Sequence, residues 1–241
     1  MAVELHAASA FSFLRASSLP EDIADRAAEL GYTAVALVDR DSLCGAPRFY
    51  KAARAKGVRP IVGAELTLDG GGVLPLLVES RRGYRHLSRI LTAMKANVPK
   101  GEGRLRLEMV EGLTEGIVAL PGVETLMVTS PSGPRRAPAF DTDRLARLLE
   151  AFGSGNVFLD VQRHRRREQE AANQALLDLA DAHSLPAVAT NGVRHATAGR
   201  RALLDVLTCI REKRTLATAG RLLAENAERH LKRPDAMAAL F

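Results

Sequence analysis

Short apolar runs alternate with amphipathic helical runs along almost the whole chain, and this alternation limits the possible folds more than any other feature. Strand-like segments fall at Val3 to His6, Ala34 to Val38, Pro60 to Leu68 and Leu74 to Val78. Three more follow at Gly116 to Leu120, Asn156 to Val161 and Ala187 to Thr190. The first helical segment, Pro20 to Leu30, has Pro near its first turn, Glu21 and Asp22 at its positive end, and Gly31 as its stop. Further helices are expected at Ala46 to Lys56, Tyr84 to Ala96 and Asp141 to Phe152. In Glu168 to His183 the apolar positions 171, 172, 175, 176, 179 and 180 make a core-facing stripe. In Ala202 to Ile210, Val206 and Leu207 mark the buried side. Strands separated by helices predict an α/β fold with a mostly parallel sheet and helices outside. About seven such units predict a distorted, TIM-like (β/α)7 barrel. An open doubly wound sheet competes, but nothing here resembles its glycine-rich phosphate turn; Gly70-Gly71-Gly72 joins two strands.

With 46% hydrophobic and 26% charged residues, the chain is not a disordered one. No apolar run approaches the ~20 residues that cross a bilayer, so no membrane partner is expected. Met1 to Leu14 lacks the basic start and apolar run of a secretory signal. Cys44 and Cys209 are isolated thiols, which fits a reducing cytoplasm. The net charge of +6 permits contact with nucleic acid, although spread-out arginines also suit a merely solvated surface. Thr129 to Pro138 is rich in Ser, Pro, Gly and Arg, and 121–140 is expected to be an exposed loop or insertion.

Polar residues able to bind or catalyse sit at the C-terminal ends of the strands. His6 ends the first, Asp39, Arg40 and Asp41 follow the second, and Glu65 lies in the third. Gln162, Arg163 and His164 end the sixth, and Asn191, Arg194 and His195 follow the seventh. In a parallel barrel these ends converge on one face, where active sites form. Taken singly, each is more simply a loop hydrogen-bonding group.

At these residues the chain resembles the PHP (polymerase and histidinol phosphatase) domain that begins bacterial C-family DNA polymerases. The resemblance is carried by Val3-Glu4-Leu5-His6, by Ser9 to Leu14, by Arg26 to Asp41, and by Gly63-Ala64-Glu65-Leu66. It continues through Asp160 to His164, Glu168 to Leu177, Ala189-Thr190-Asn191, Asp205 to Glu212 and Asn226 to Lys232. Phe13-Leu14-Arg15 and Val38-Asp39-Arg40-Asp41 look more like the error-prone branch than the replicative one. The likeness covers nearly everything except 121–140 and implies a single domain over 1–241. Ala239-Leu240-Phe241 brings no helix stop or polar tail, as expected of a piece of a longer polymerase.

The family's barrel holds up to three divalent ions, usually zinc, manganese or iron, which activate water for phosphoester hydrolysis and can supply proofreading in replicative relatives. Its first motif is His-x-His, where this chain has His6-Ala7-Ala8. Arg15 stands where the family commonly has Asp, and Arg40 replaces the His of Asp-His. The last motif, Asp-x-His, has become Gly192-Val193-Arg194, and His195 falls one residue too late. Glu65 and His164 persist. Ligand positions 8, 15, 40, 192 and 194 are therefore lost, and a guanidinium offers a metal no lone pair. The resemblance thus implies no catalytic residues and no multinuclear centre. His6, Glu65 and His164 remain as vestigial ligands for at most one divalent ion such as zinc or manganese. Arg15, Arg40 and Arg194 are expected to brace Asp39, Asp41 and Glu65 in place of the metals. The partners implied are the thumb and palm of the same polymerase, with DNA reached through the parent protein. Two other readings are a metal-dependent phosphoesterase or 3′-5′ exonuclease, and a nucleic-acid-binding module using Arg163, Arg165, Arg166, Arg167, Arg200 and Arg201.

Overall fold

The computed structural model describes residues 2–128 and 138–241. In chain order the elements are β1 (Val3–Ala7), α1 (Pro20–Glu29), β2 (Ala34–Arg40), α2 (Ala46–Ala55), β3 (Arg59–Thr67) and β4 (Val73–Val78). Next come α3 (Arg81–Lys95), β5 (Ile117–Ala119), α4 (Val123–Leu126), α5 (Thr142–Phe152) and β6 (Leu159–Gln162). The last are α6 (Arg167–Ala182), β7 (Ala187–Thr190), α7 (Arg201–Glu212), α8 (Leu216–Ala219) and α9 (Pro234–Ala238). Strands hydrogen-bond in the order β1-β2-β3-β4-β5, with β6-β7 as a separate pair. The chain forms two compact units, one of Met1–Gly63 with Thr190–Phe241 and the other of Ala64–Ala189.

In the first unit β1 and β2 run parallel, with Val3 opposite Ala34 and Ala7 opposite Leu37. The chain after β7 returns beside β1, where Val193 donates to the His6 carbonyl at 2.7 Å. Helix α1 buries Pro20, Ile23, Ala24 and Ala27, the spacing of one helical face. It packs with Phe49 of α2 and with Val35 and Leu37 of β2 in one apolar cluster. Each large side chain withdrawn from water there contributes about 1.5–3 kcal/mol. Helix α7 departs from expectation. It buries Leu204, Thr208 and Cys209, while Val206 is 42% and Ile210 58% exposed and Leu207 is only half-buried. Apolar residues occupy two sides of this helix, so periodicity alone cannot choose its inner face.

In the second unit β4 and β5 are antiparallel, an exception within a mostly parallel fold. Isolated parallel bridges join Ala119 to Val157 and Gly122 to Asp160. Asn156, expected to open the sixth strand, instead ends a 3-10 turn, Ser154–Asn156, and β6 begins at Leu159. Helix α6 buries Ala172, Asn173, Leu176 and Ala180, so a polar residue enters the expected apolar stripe, where Asn173 donates to the Gln162 carbonyl at 2.9 Å. Within 121–140, α4 buries Thr125 and Leu126, and Met127 bridges Phe140. Residues 129–137, nearly half of the segment read as a loop, lie outside the described residues. Among the described residues no helix is long and apolar enough to cross a membrane.

Candidate functional site

In the first unit the strand-end polar residues organise around one buried carboxylate. Asp39, at the end of β2, is 1% exposed. The loop after β1 folds over it: Ser9 donates its backbone N–H at 2.7 Å and its hydroxyl at 2.8 Å, and the Ser12 hydroxyl donates at 2.8 Å. Ser12 Oγ also accepts from the Arg40 backbone N–H at 2.9 Å, which ties the loop to the strand end. Burial pushes the Asp39 pKa up, while the Ser12 and Ser9 donors and the positive charge of Arg194 oppose that shift. Arg194 is itself only 6% exposed. Ser9 and Ser12 were legible only as part of a family stretch; the pair of serines after the first strand was the available signal. Gly45 closes the other side, since a Cβ there would lie 2.4 Å from Asp39 Oδ2. Its φ of −76° suits alanine, so Gly45→Ala tests space alone. A loss of about 1–3 kcal/mol is expected from overpacking, read as a lowered Tm; an unchanged Tm would show that the carboxylate is free to swing aside.

A second buried network lies in the same unit. Glu4 on β1 is 2% exposed and accepts from the backbone N–H groups of His6 and Asn191, at 2.9 and 3.1 Å. The Asn191 side chain donates to the carbonyls of Glu228 and His230 and accepts from Lys232 Nζ at 2.8 Å. Lys232 also pairs with the Glu228 carboxylate at 3.3 Å, and its carbonyl accepts from the Tyr32 hydroxyl. Burial, with the charge of Glu4, raises the Tyr32 pKa. His195 lies one residue beyond Arg194 and stacks on His230, ring centroids 6.4 Å apart. Burial pushes its pKa down to about 4, helped by the charges of His230, Lys232 and Arg229. Glu4 and Tyr32 gave no sign of this role in the sequence, because their partners Asn191 and Lys232 are distant along the chain, whereas Glu228 and Lys232 are four residues apart.

The other arginines fall differently. Arg15 is exposed and its charge lowers the Glu212 pKa behind the adjacent Arg211, the larger cause. Arg40 and Asp41 are half-buried, and Asp41 has a left-handed backbone, φ 50°.

In the second unit Glu65 is fully buried in β3 and His164 is 3% exposed just after β6. The His164 backbone N–H can only donate, so Gln169 Oε1 accepts it at 2.9 Å. The Gln169 amide nitrogen must then donate to His164 Nδ1, 3.0 Å away. In the neutral ring that places the proton on Nε2. A metal needs a ring nitrogen with a lone pair facing it, and this arrangement presents none without turning Gln169. Among the described residues no three His, Cys, Asp or Glu side chains gather where one ion could be held. A guanidinium ~4 Å from a cation opposes it by about 4 kcal/mol per unit of charge at an effective dielectric near 20. The residues present do not fit a multinuclear hydrolytic centre.

The frame is a mostly parallel α/β fold with His, Asp, Glu and Arg within or just after its strands. The PHP domain family model matches residues 4–164, and the chain belongs to that family. It is 39% identical over 239 residues to an error-prone DNA polymerase of Alkalilimnicola ehrlichii, a match covering 99% of this chain and 22% of that protein. It is 36% identical over 238 residues to the error-prone DNA polymerase of Pseudomonas aeruginosa, with the same 99% and 22% coverage. The chain thus spans about a fifth of the length of the curated relatives it matches. Among solved structures it resembles a two-domain protein of Bacteroides vulgatus containing a predicted PHP-like metal-dependent phosphoesterase, with TM-score 0.55 and 11% identity, covering 98% of this chain and 61% of that one. It also resembles an amidohydrolase of Chromobacterium violaceum with bound sulfate and no metal, with TM-score 0.50 and 16% identity, covering 80% and 87%. These likenesses show the fold class, PHP-type α/β as expected of a distorted barrel, and set aside the doubly wound alternative.

Proposed function

We propose that this chain is the N-terminal PHP domain of an error-prone bacterial DNA polymerase and serves its parent enzyme as a non-catalytic scaffold. On this reading residues 1–241 act as one domain in the cytoplasm, and DNA synthesis in damage tolerance resides in the remainder of the polymerase. The identity to error-prone polymerases over 99% of the chain supports the assignment, and the 22% coverage leaves room for thumb and palm. The exposed apolar side of α7, with Leu203, Val206 and Ile210, suits packing against that remainder.

The observation that carries the scaffold reading is Arg194, a buried guanidinium acting on the buried carboxylate of Asp39. It supplies internally the positive charge that metals supply in hydrolytic relatives. On this reading half-buried Arg40 extends the bracing toward its neighbour Asp41, whereas Arg15 is exposed and acts on Glu212 instead. Catalytic residues are absent on this reading, and neither zinc nor manganese is required.

Elemental analysis of the purified chain, paired with a manganese- or zinc-stimulated assay on a nucleotide ester and a DNA 3′ end, tests this. Fewer than one tightly held ion per chain and no stimulated cleavage are expected. Two or more ions, with cleavage abolished by Glu65→Gln, would overturn the scaffold reading. Primer extension by the longer polymerase tests the assignment separately.

A further inference from the structure

Helix α3 carries Arg81, Arg82, Arg85, Arg89 and Lys95, and no acidic residue occurs from Ser80 to Gly101. At 3.6 residues per turn, these five cations fall within an arc of about 140°. All five are exposed, opposite the buried stripe of Gly83, His86, Leu87, Ile90 and Met94. Arg82 pairs with Glu115 at 2.8 Å. Among the described residues no carboxylate pairs with Arg81, Arg85 or Arg89.

Helix stability alone disfavours this arrangement twice. Cations in the first turn face the positive end of the helix dipole, and that turn has no acidic residue. Arg81, Arg85 and Arg89 stand four residues apart, where like charges repel. The buried side is meanwhile held firmly. Ser80 Oγ accepts from the Gly83 N–H at 3.1 Å, and His86 Nδ1 bonds the Glu115 carbonyl at 3.1 Å. A Cβ on Gly83 would come within 1.9 Å of the Gly116 carbonyl, so the helix backbone is in direct contact with the turn that precedes β5. Gly103 also packs closely on the Met94 carbonyl, which brings the loop bearing exposed Lys100 and Arg104 beside the end of α3.

We propose that the exposed face of α3 is a binding surface for the phosphate backbone of DNA, an inference that rests in part on the polymerase reading above. Successive arginines rise by about 6 Å along the helix, and one strand of a duplex presents a phosphate every ~3.4 Å of axis. Long, unpaired guanidiniums on a rigid helix can therefore meet neighbouring phosphates. Tyr84, 42% exposed on the same side, adds a hydroxyl donor. A membrane surface fits less well, because no Leu, Ile, Phe or Trp lies among the cations to enter the lipid.

Fluorescence anisotropy with a labelled 20-nucleotide strand and its duplex, over a series of salt concentrations, tests the surface. The triple variant R81Q/R85Q/R89Q is expected to bind at least tenfold more weakly at low salt. Its log–log salt slope on the duplex should be shallower by about 2–3, near 0.9 for each phosphate no longer neutralised. Its Tm should stay level or rise, since repulsion is relieved and no ion pair is broken. Lys51→Gln with Arg54→Gln, exposed cations of α2, serves as the control and should stay within twofold of wild type. Unchanged affinity in the triple variant, an equal loss in the control, a lowered Tm, or a loss seen only with anionic vesicles or an acidic protein would each overturn the inference. Failure of the longer wild-type chain to extend primers would instead count against the polymerase reading, leaving the anisotropy result to be read by itself.

Discussion

Replacing Arg194 by methionine is expected to lower folding stability by about 3–5 kcal/mol, the usual consequence of stripping a buried charge of its partner. For a chain of this size that corresponds to a fall in Tm of roughly 6–20 °C. Methionine keeps much of the volume, so packing loss contributes little and the effect isolates the charge. The carboxylate left behind is Asp39, buried and already pushed toward protonation by its surroundings. Adding Asp39→Asn should therefore return a substantial part of the loss. An asparagine oxygen can still accept from the Ser9 N–H and the Ser12 hydroxyl, while the Ser9 hydroxyl turns to accept from its amide. Urea unfolding of wild type, both single variants and the double variant closes the cycle. A coupling of about 1–3 kcal/mol is expected for two buried groups that interact electrostatically. Strict additivity, or an Arg194→Met variant within about 1 kcal/mol of wild type, would remove the guanidinium from its proposed role as an internal counter-cation.

The second large effect is on acid stability. His195 is 1% exposed, and its Nδ1–H donates to the Thr197 carbonyl at 2.9 Å. Its pKa falls from 6.5 to about 4, chiefly through burial. Between those values the unfolded chain binds a proton that the folded chain does not, so stability falls as pH falls. The contribution is fully present above about pH 6.5, declines through the interval and levels off below the folded value. At about 1.36 kcal/mol per unit the total is about 3 kcal/mol. His195→Asn keeps an amide donor near Thr197 and cannot titrate. The difference in stability between wild type and this variant, followed by urea unfolding from about pH 7 to about pH 4, should shrink or reverse by that amount. A difference independent of pH would mean that the imidazole is hydrated enough to protonate in the folded state.

The strand-end residues show how far local reading reaches. Asp39 was legible as a polar residue closing an apolar strand, because a strand leaving a core must end on groups that can be satisfied. What satisfies it was not legible. Ser9 and Ser12 lie 30 and 27 residues away, and a pair of serines after a strand does not say which carboxylate they will meet. Glu4 sits 187 residues from Asn191, so the buried network holding the 226–232 segment exists only once the chain has folded. Arg15, grouped with Arg40 and Arg194 on ligand spacing, stands exposed near Glu212. Spacing along a chain says which loop a residue is on and does not say which way its side chain turns.

Short-range chemistry determined the element order, the α/β class and the family, because hydrophobic period and helix stops are written within a few residues of where they act. Which residue types stand at the family's ligand positions was also legible there, since the identity of a side chain limits what it can coordinate. Tertiary structure alone decided that Arg194 is buried beside Asp39 while Arg15 is exposed, and that the inner face of α7 is Leu204 and Thr208 rather than Val206. Those outcomes depend on which surfaces meet, and burial and charge pairing are properties of groups brought together from distant parts of the chain.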